Sequence, residues 1–132
     1  MVGKTSAQRE PRATRRVLVV DDDPDILDAL SEILEVEGYD VHRARNGREA
    51  LVRVEQAPPD LVLLDLMMPV MDGSEFARNL APGRRPPIIV LSADRNVSVK
   101  AMEIGALGWL AKPFELDELL AAVRRALPAA TP

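Results

Sequence analysis

The sequence predicts a doubly wound α/β domain, a five-stranded parallel sheet with helices on both faces, made of five consecutive β-α units. Three observations carry this reading. Val17 to Val20, Leu61 to Leu64 and Ile88 to Leu91 are short apolar runs, each followed by a polar residue, as in strands buried on both faces. Between them lie segments whose apolar residues recur at three- and four-residue spacing, the period of a helix with one buried face. The length, 132 residues, fits one domain and leaves no room for a second.

Taken in order, Val17 to Val20 is the first strand, and Asp23 and Pro24 then supply an N-cap and a first helical residue that needs no N–H partner. Ile26, Leu27, Leu30, Ile33 and Leu34 share one face of the first helix, and Gly38 is placed to end it. A weaker second strand spans Tyr39 to Ala44. Asn46 and Glu49 have capping-box spacing for a helix carrying Ala50, Leu51 and Val54, which Pro58 and Pro59 stop. Leu61 to Leu64 runs into Asp65, a loop follows from Met67 to Gly73, and Ser74 to Leu80 makes a short helix. Ile88 to Leu91 leads to Ser92. A helix over Val97 to Ile104, a turn at Gly105 and Gly108, a strand Trp109 to Ala111 and a helix from Glu115 to Leu127 complete the set. The last helix buries Leu116, Leu119, Leu120, Val123 and Leu127.

Composition narrows the function. Aromatic residues are 3% of the chain, which argues against a base-stacking nucleic-acid platform. The net charge of −4 is uneven: Lys4, Arg9, Arg12, Arg15 and Arg16 against Glu10 give +4 over the first 16 residues and leave −8 beyond them. The folded part is therefore acidic and unsuited to nucleic acid or an anionic membrane. With no cysteine and one histidine, His42, thiolate chemistry and histidine-rich metal sites are excluded. No apolar stretch approaches the roughly 18 residues of a membrane span, and the N-terminus lacks a signal-peptide pattern. The expectation is a cytoplasmic protein with a flexible basic tail over 1–15, a domain over 16–127, and a tail or linker start over 128–132. His42 is expected at the surface, and Arg124 and Arg125 on a solvated helix face.

In such sheets ligands bind outside the carboxyl ends of the strands, where strand order reverses. That rule selects Asp21, Asp22 and Asp23 after the first strand, Asp65 after the third, Ser92 after the fourth and Lys112 after the fifth. Acids, a hydroxyl and an ammonium at one rim are the groups needed for a hard oxygen-liganded cation and a phosphoryl group. A single Asp after a strand is ordinarily a turn former. The recurrence of acids, a hydroxyl and an ammonium at strand after strand carries the inference.

The segments VLVVDDDPDI (17–26), LVLLDLMMPVMDG (61–73), IIVLSA (88–93) and AKPF (111–114) together resemble the receiver domain of two-component response regulators. The resemblance runs from about Arg16 to Leu127. It implies the flavodoxin-like receiver fold of a single chemotaxis-regulator-like domain, acting in phosphorelay signal transduction as a phosphoprotein. It makes Asp65 the phosphoryl acceptor, forming 4-aspartylphosphate. Asp22 becomes a direct ligand of Mg²⁺, for which Mn²⁺ can substitute, Asp21 assists through water, and Met67 gives its backbone carbonyl. Ser92 and Lys112 contact the transferred group, and the Lys112–Pro113 bond is cis. A sensor histidine kinase or histidine phosphotransfer protein is the implied donor. The implied target is a downstream protein or an output domain of a longer chain, with no direct binding of nucleic acid or membrane. Such a domain is no enzyme, although it assists its own phosphorylation and dephosphorylation.

The resemblance also implies a switch in which Ser92 moves toward the phosphoryl group and Trp109 turns inward behind it. The family commonly has Tyr, Phe or His where this chain has the larger Trp109, so a packing or partner-binding role competes. Met67 and Asp94, two residues after Asp65 and Ser92, flank the approach to the phosphoryl group. Leu107 and Gly108 stand where DNA-binding regulators often carry acids of a charged dimer face. Three other functions compete: a receiver-like binding module that is never phosphorylated, a haloacid-dehalogenase-like phosphatase, and a flavin carrier. The second would need an acid where Met67 stands. The third would need a phosphate-cradling loop where Asp21 to Asp23 repel phosphate.

Overall fold

A computed structural model describes residues 14–127 except Pro69, Pro82 and Arg84. The expected tails lie outside the described residues, apart from Thr14 and Arg15. Five strands, β1 (Arg16–Val20), β2 (Asp40–Ala44), β3 (Leu61–Asp65), β4 (Ile88–Ser92) and β5 (Gly108–Ala111), alternate with five helices. These are α1 (Pro24–Val36), α2 (Gly47–Gln56), α3 (Gly73–Arg78), α4 (Val97–Glu103) and α5 (Leu116–Ala126). All strand pairs are parallel, in the order β2-β1-β3-β4-β5. The order reverses between β1 and β3, which puts the ligand crevice at their carboxyl ends.

Alternation along the strands divides the core into two layers. Leu18, Val20, Val62, Leu64, Ile88 and Val90 pack with Ala50 of α2, Phe76 of α3 and Val97 and Ala101 of α4. Val17, Val19, Leu61, Leu63, Ile89 and Leu91 pack with Leu27, Leu30 and Leu34 of α1 and Leu119 and Val123 of α5. The central strands β3 and β4 are buried along their full length. They read as continuous apolar runs because both of their faces meet helices.

Local chemistry sets the element boundaries. Asp23 caps α1 through Asp25 and Ile26, and Pro24 opens the helix as expected. Gly38, at φ +98°, takes the left-handed position after α1. The Tyr39 N–H then donates to Leu34 O at 3.1 Å. This bond closes the helix end, and β2 starts one residue later than the sequence suggested. Asn46 Oδ1 accepts the Glu49 N–H at 2.9 Å, but Glu49 Oε1 accepts from the Arg45 N–H rather than that of Asn46. The expected capping box is therefore displaced by one residue on its return arm. Asp72 caps α3 by accepting the Glu75 N–H, so the helix begins at Gly73.

Two further expectations need correction. Leu116 is 42% exposed, because it is the first residue of α5 and projects beyond the core that Leu119, Leu120, Val123 and Leu127 fill. His42 is half-buried, with Nε2 3.4 Å from Asp40 Oδ1. Arg16 holds the opposite end of the sheet together: its Nε donates to Asp40 Oδ2 at 3.1 Å and its backbone N–H to Asp60 Oδ2 at 2.7 Å. That guanidinium hydrogen bond holds the Asp40 carboxyl below the usual carboxylate range.

Candidate functional site

The candidate site forms where β1, β3, β4 and β5 end. Asp21 follows β1, Asp65 is the last residue of β3, Ser92 is the last of β4, and Lys112 follows β5. Asp21, Asp22 and Asp65 each place a carboxylate oxygen within 4.8 Å of the other two. Asp21 and Asp65 are buried, while Asp22 is exposed. The site is thus a pair of sheltered acids with a third at its solvent edge.

Each side chain is held from its neighbourhood. The Asp23 N–H donates to Asp21 Oδ1 at 2.9 Å, and the Met67 N–H donates to Asp65 Oδ1 at 3.1 Å. Gly73 is required close by: a Cβ there would lie 2.7 Å from the backbone oxygen of Asp65 and 2.7 Å from Leu66 Cδ2. The loop after Asp65 therefore folds back on its own strand at a point where only hydrogen fits. It is also tied to α2, since the Gly47 N–H donates to Met71 O at 2.9 Å. The Met67 side chain points outward and is 60% exposed.

Lys112 bridges the acids. Its Nζ donates to Asp21 Oδ2 at 2.9 Å and lies 3.5 Å from Asp65 Oδ2. The Lys112–Pro113 peptide is cis, and the Lys112 N–H donates to Ser92 O at 2.8 Å. Burial pulls the ammonium down, but the hydrogen bond to Asp21 and the charges of Asp65 and Asp21 outweigh it and leave Lys112 above its ordinary range. Burial raises the Asp65 carboxyl despite the opposing pull of the Met67 N–H and Lys112, and the charge of Asp21 adds to the rise. One ammonium does not neutralise this cluster, and a small divalent cation would meet oxygens of the kind it prefers.

Ser92 is fully buried, and its Oγ accepts the Asp94 N–H at 3.1 Å. Asp94 in turn accepts from Lys100 Nζ at 2.6 Å and from the Asn96 N–H at 2.7 Å. These bonds hold Asp94 below its ordinary range, the Lys100 bond most of all. Asn96 makes no side-chain cap on α4, so Asp94 ties the helix start to Ser92. Trp109 lies on β5 opposite Val90, and Ala111 opposite Ser92, so strand alternation puts Trp109 on the sheet face that Ser92 shares. Its indole is 47% exposed, beside a shallow depression of about 310 Å³ that Leu107 and Arg125 also line.

Of the residues expected from sequence, Asp21, Asp22, Asp65 and Lys112 are thus brought together, Ser92 joins them through its backbone bond to Lys112, and Trp109 is about half exposed on β5. Sequence reasoning missed the Asp94–Lys100 pair. Its six-residue spacing spans a loop and the first turn of α4, and belongs to no helical or strand period. The pairing of Lys112 with Asp21 was also missed, because contacts across 91 residues leave no local signal.

Comparison with known proteins agrees with this geometry. Residues 17–124 match the response regulator receiver domain family. The chain is 46% identical over 120 residues to the response regulator MprA of Mycolicibacterium vanbaalenii, covering 89% of this chain and 52% of that protein. It is 44% identical over 113 residues to the transcriptional regulatory protein KdpE of Mycobacterium tuberculosis, covering 84% and 50% respectively. The chain thus spans about half the length of the curated relatives it matches. Among solved structures, the chemotaxis protein CheY4 of Vibrio cholerae superposes with a TM-score of 0.80 at 36% identity, over 87% of this chain and 100% of that one. The response regulator TrrA of Thermotoga maritima, solved with Mg²⁺ and BeF, gives 0.78 at 36% identity, over 86% and 100%. With its strand order, its acid-lysine rim and this breadth of similarity, the chain belongs to the receiver domains of two-component response regulators.

Proposed function

We propose that Asp65 is the phosphoryl acceptor and that Asp22, Asp65 and the Met67 carbonyl hold Mg²⁺, with Asp21 assisting through water and Mn²⁺ able to substitute. The observation that carries this is the convergence of three carboxylates within 4.8 Å, with the Lys112 ammonium 3.5 Å from Asp65. Bound Mg²⁺ supplies the positive charge that lets a phosphoryl dianion approach this acidic rim.

A carboxylate oxygen of Asp65 attacks phosphorus, the bond to the donor breaks, and an acyl phosphate results. Lys112 neutralises charge on the phosphoryl oxygens, and Ser92 donates its hydroxyl to one of them. To reach the group, Ser92 must exchange its bond with the Asp94 N–H for one to phosphate. Trp109, on the same sheet face, then has room to turn from its exposed position. The Met67 side chain offers no acid or base at the mouth of the site, which disfavours a phosphatase of the haloacid-dehalogenase kind.

The donor on this reading is a sensor histidine kinase or a histidine phosphotransfer protein. The reader of the phosphorylated state is a downstream protein or an output domain. The domain assists its own phosphorylation and dephosphorylation and works in the cytoplasm. Among the described residues no helix is long and apolar enough to cross a membrane. Incubation with acetyl phosphate and Mg²⁺, followed by intact mass, should add one phosphoryl group, and chelation of the metal should prevent it. A chain that stays unlabelled with every small phosphodonor and with partner kinases would instead be a binding module.

A further inference from the structure

Beyond Arg16 the chain is acidic in balance, with twelve Lys and Arg against twenty Asp and Glu. Four of those twelve cations, Arg43, Arg45, Arg48 and Arg53, line one cleft of about 740 Å³. It lies along the edge strand β2, between α1 and α2, and its only acidic lining residues are Asp28 and Glu49. Pro24 and Arg45 place its mouth beside the aspartate rim, because each follows the end of its strand on that side of the sheet.

The arginines divide by role. Arg43 pairs with Asp28, and Arg53 Nε donates to Arg43 O at 3.0 Å. That second bond occupies a carbonyl of an edge strand, which works against pairing with another strand. Arg45 is 70% exposed and only loosely paired with Glu49 at 3.6 Å, and Arg48 is exposed. Between these guanidinium groups Val52 is half exposed, with Leu27 and Ala44 buried beneath.

Planar guanidinium groups above an aliphatic floor suit carboxylates carried beside apolar side chains. Nucleic acid fits poorly, since the charge of −8 beyond Arg16 repels a polyanion and no lining residue is aromatic. The chain's own N-terminal segment, at +4, has the wrong sign. We infer that this cleft docks an acidic segment of a partner protein. Its Asp or Glu side chains pair with Arg45 and Arg48, and an aliphatic side chain rests on Val52 and Pro24. Docking here needs no phosphoryl group on Asp65, so it stands apart from the reading of the aspartate site.

The test is an NMR titration of the full chain with a synthetic peptide of Glu interspersed with Leu. An all-Glu peptide of equal charge, inorganic pyrophosphate and a DNA duplex are titrated in parallel. Amide shifts should concentrate at 25–28 and 43–56, and the Leu-containing peptide should bind several-fold more tightly than the all-Glu one. The Arg45→Glu/Arg48→Glu double variant should bind it at least tenfold more weakly, while keeping the parent's circular dichroism and its labelling by acetyl phosphate. Shifts that map elsewhere, or a double variant that binds like the parent, would overturn the inference. So would pyrophosphate or DNA competing as well as the Leu-containing peptide, since the cleft would then be a general anion site.

Discussion

Lys112 Nζ is hydrogen-bonded to Asp21 Oδ2 at 2.9 Å, closer than its 3.5 Å approach to Asp65. Lys112 therefore holds the end of β5 against the end of β1 and at the same time faces the Asp65 carboxylate. Lys112→Met should leave Asp21 and Asp65 mutually repelling. The expected loss of stability is on the order of 2 kcal/mol without metal, below the ~3–5 kcal/mol of a fully buried pair because the lysine side chain keeps 19% of its surface in solvent. Urea denaturation should show this loss, and saturating Mg²⁺ should restore part of it. A variant as stable as the parent would show that the pair contributes nothing.

Asp65 behaves in the opposite sense. Its carboxyl is raised above 3.8 in the fold, chiefly by burial, so the folded chain holds this proton more tightly than the unfolded one. The associated stability is complete below the ordinary Asp range and is lost as pH rises through the raised value. Asp65→Asn, which never ionises, should therefore melt a few degrees higher than the parent at pH 7 without metal and show little difference at acidic pH. Equal melting temperatures at pH 7 would mean that the carboxylate is not strained there.

Asp22 is the exposed member of the acid cluster, and its removal should cost metal rather than fold. Asp22→Ala is expected to weaken Mg²⁺ binding by about 100-fold or more, at the upper end of what even outer-shell changes produce. Calorimetric titration of both proteins decides it, and matched affinities would remove Asp22 from the ligand set.

Trp109 is the only tryptophan, so its fluorescence reports on β5 without interference. Mg²⁺ alone should change emission little. Beryllofluoride with Mg²⁺ should draw Ser92 away from the Asp94 N–H, and a turning indole should then change its emission and its access to quencher. Ser92→Ala should suppress that change with metal binding intact. Lys100→Met, which frees Asp94, should let the change occur at lower beryllofluoride concentration. If beryllofluoride binds and the indole does not respond, Trp109 packs or docks without switching.

The fold was legible because β3 and β4 are apolar up to their last residues, Asp65 and Ser92, and because Asp23, Pro24 and Gly38 punctuate α1 by local chemistry. Boundaries slipped where one backbone group had two possible uses, as when the Tyr39 N–H closed α1 instead of opening β2. Asp21, Asp22, Asp65, Ser92 and Lys112 were legible one by one, since each ends a strand or follows one within two residues. Their pairing was not: which acid Lys112 prefers, and which group bonds the Ser92 hydroxyl, depend on the packing of distant strands and on a loop without periodicity. The arginine cleft was likewise hidden, because α1, β2 and α2 contribute to it from separate stretches of sequence.

The most direct test of the central claim is to identify the labelled residue. Acetyl phosphate and Mg²⁺ should label the parent, and borohydride reduction of the acyl phosphate followed by peptide mass mapping should place the modified residue at position 65. Asp65→Asn should take up no label under the same conditions. A label mapped to any other residue, or undiminished labelling of Asp65→Asn, would contradict the assignment of Asp65 as the phosphoryl acceptor.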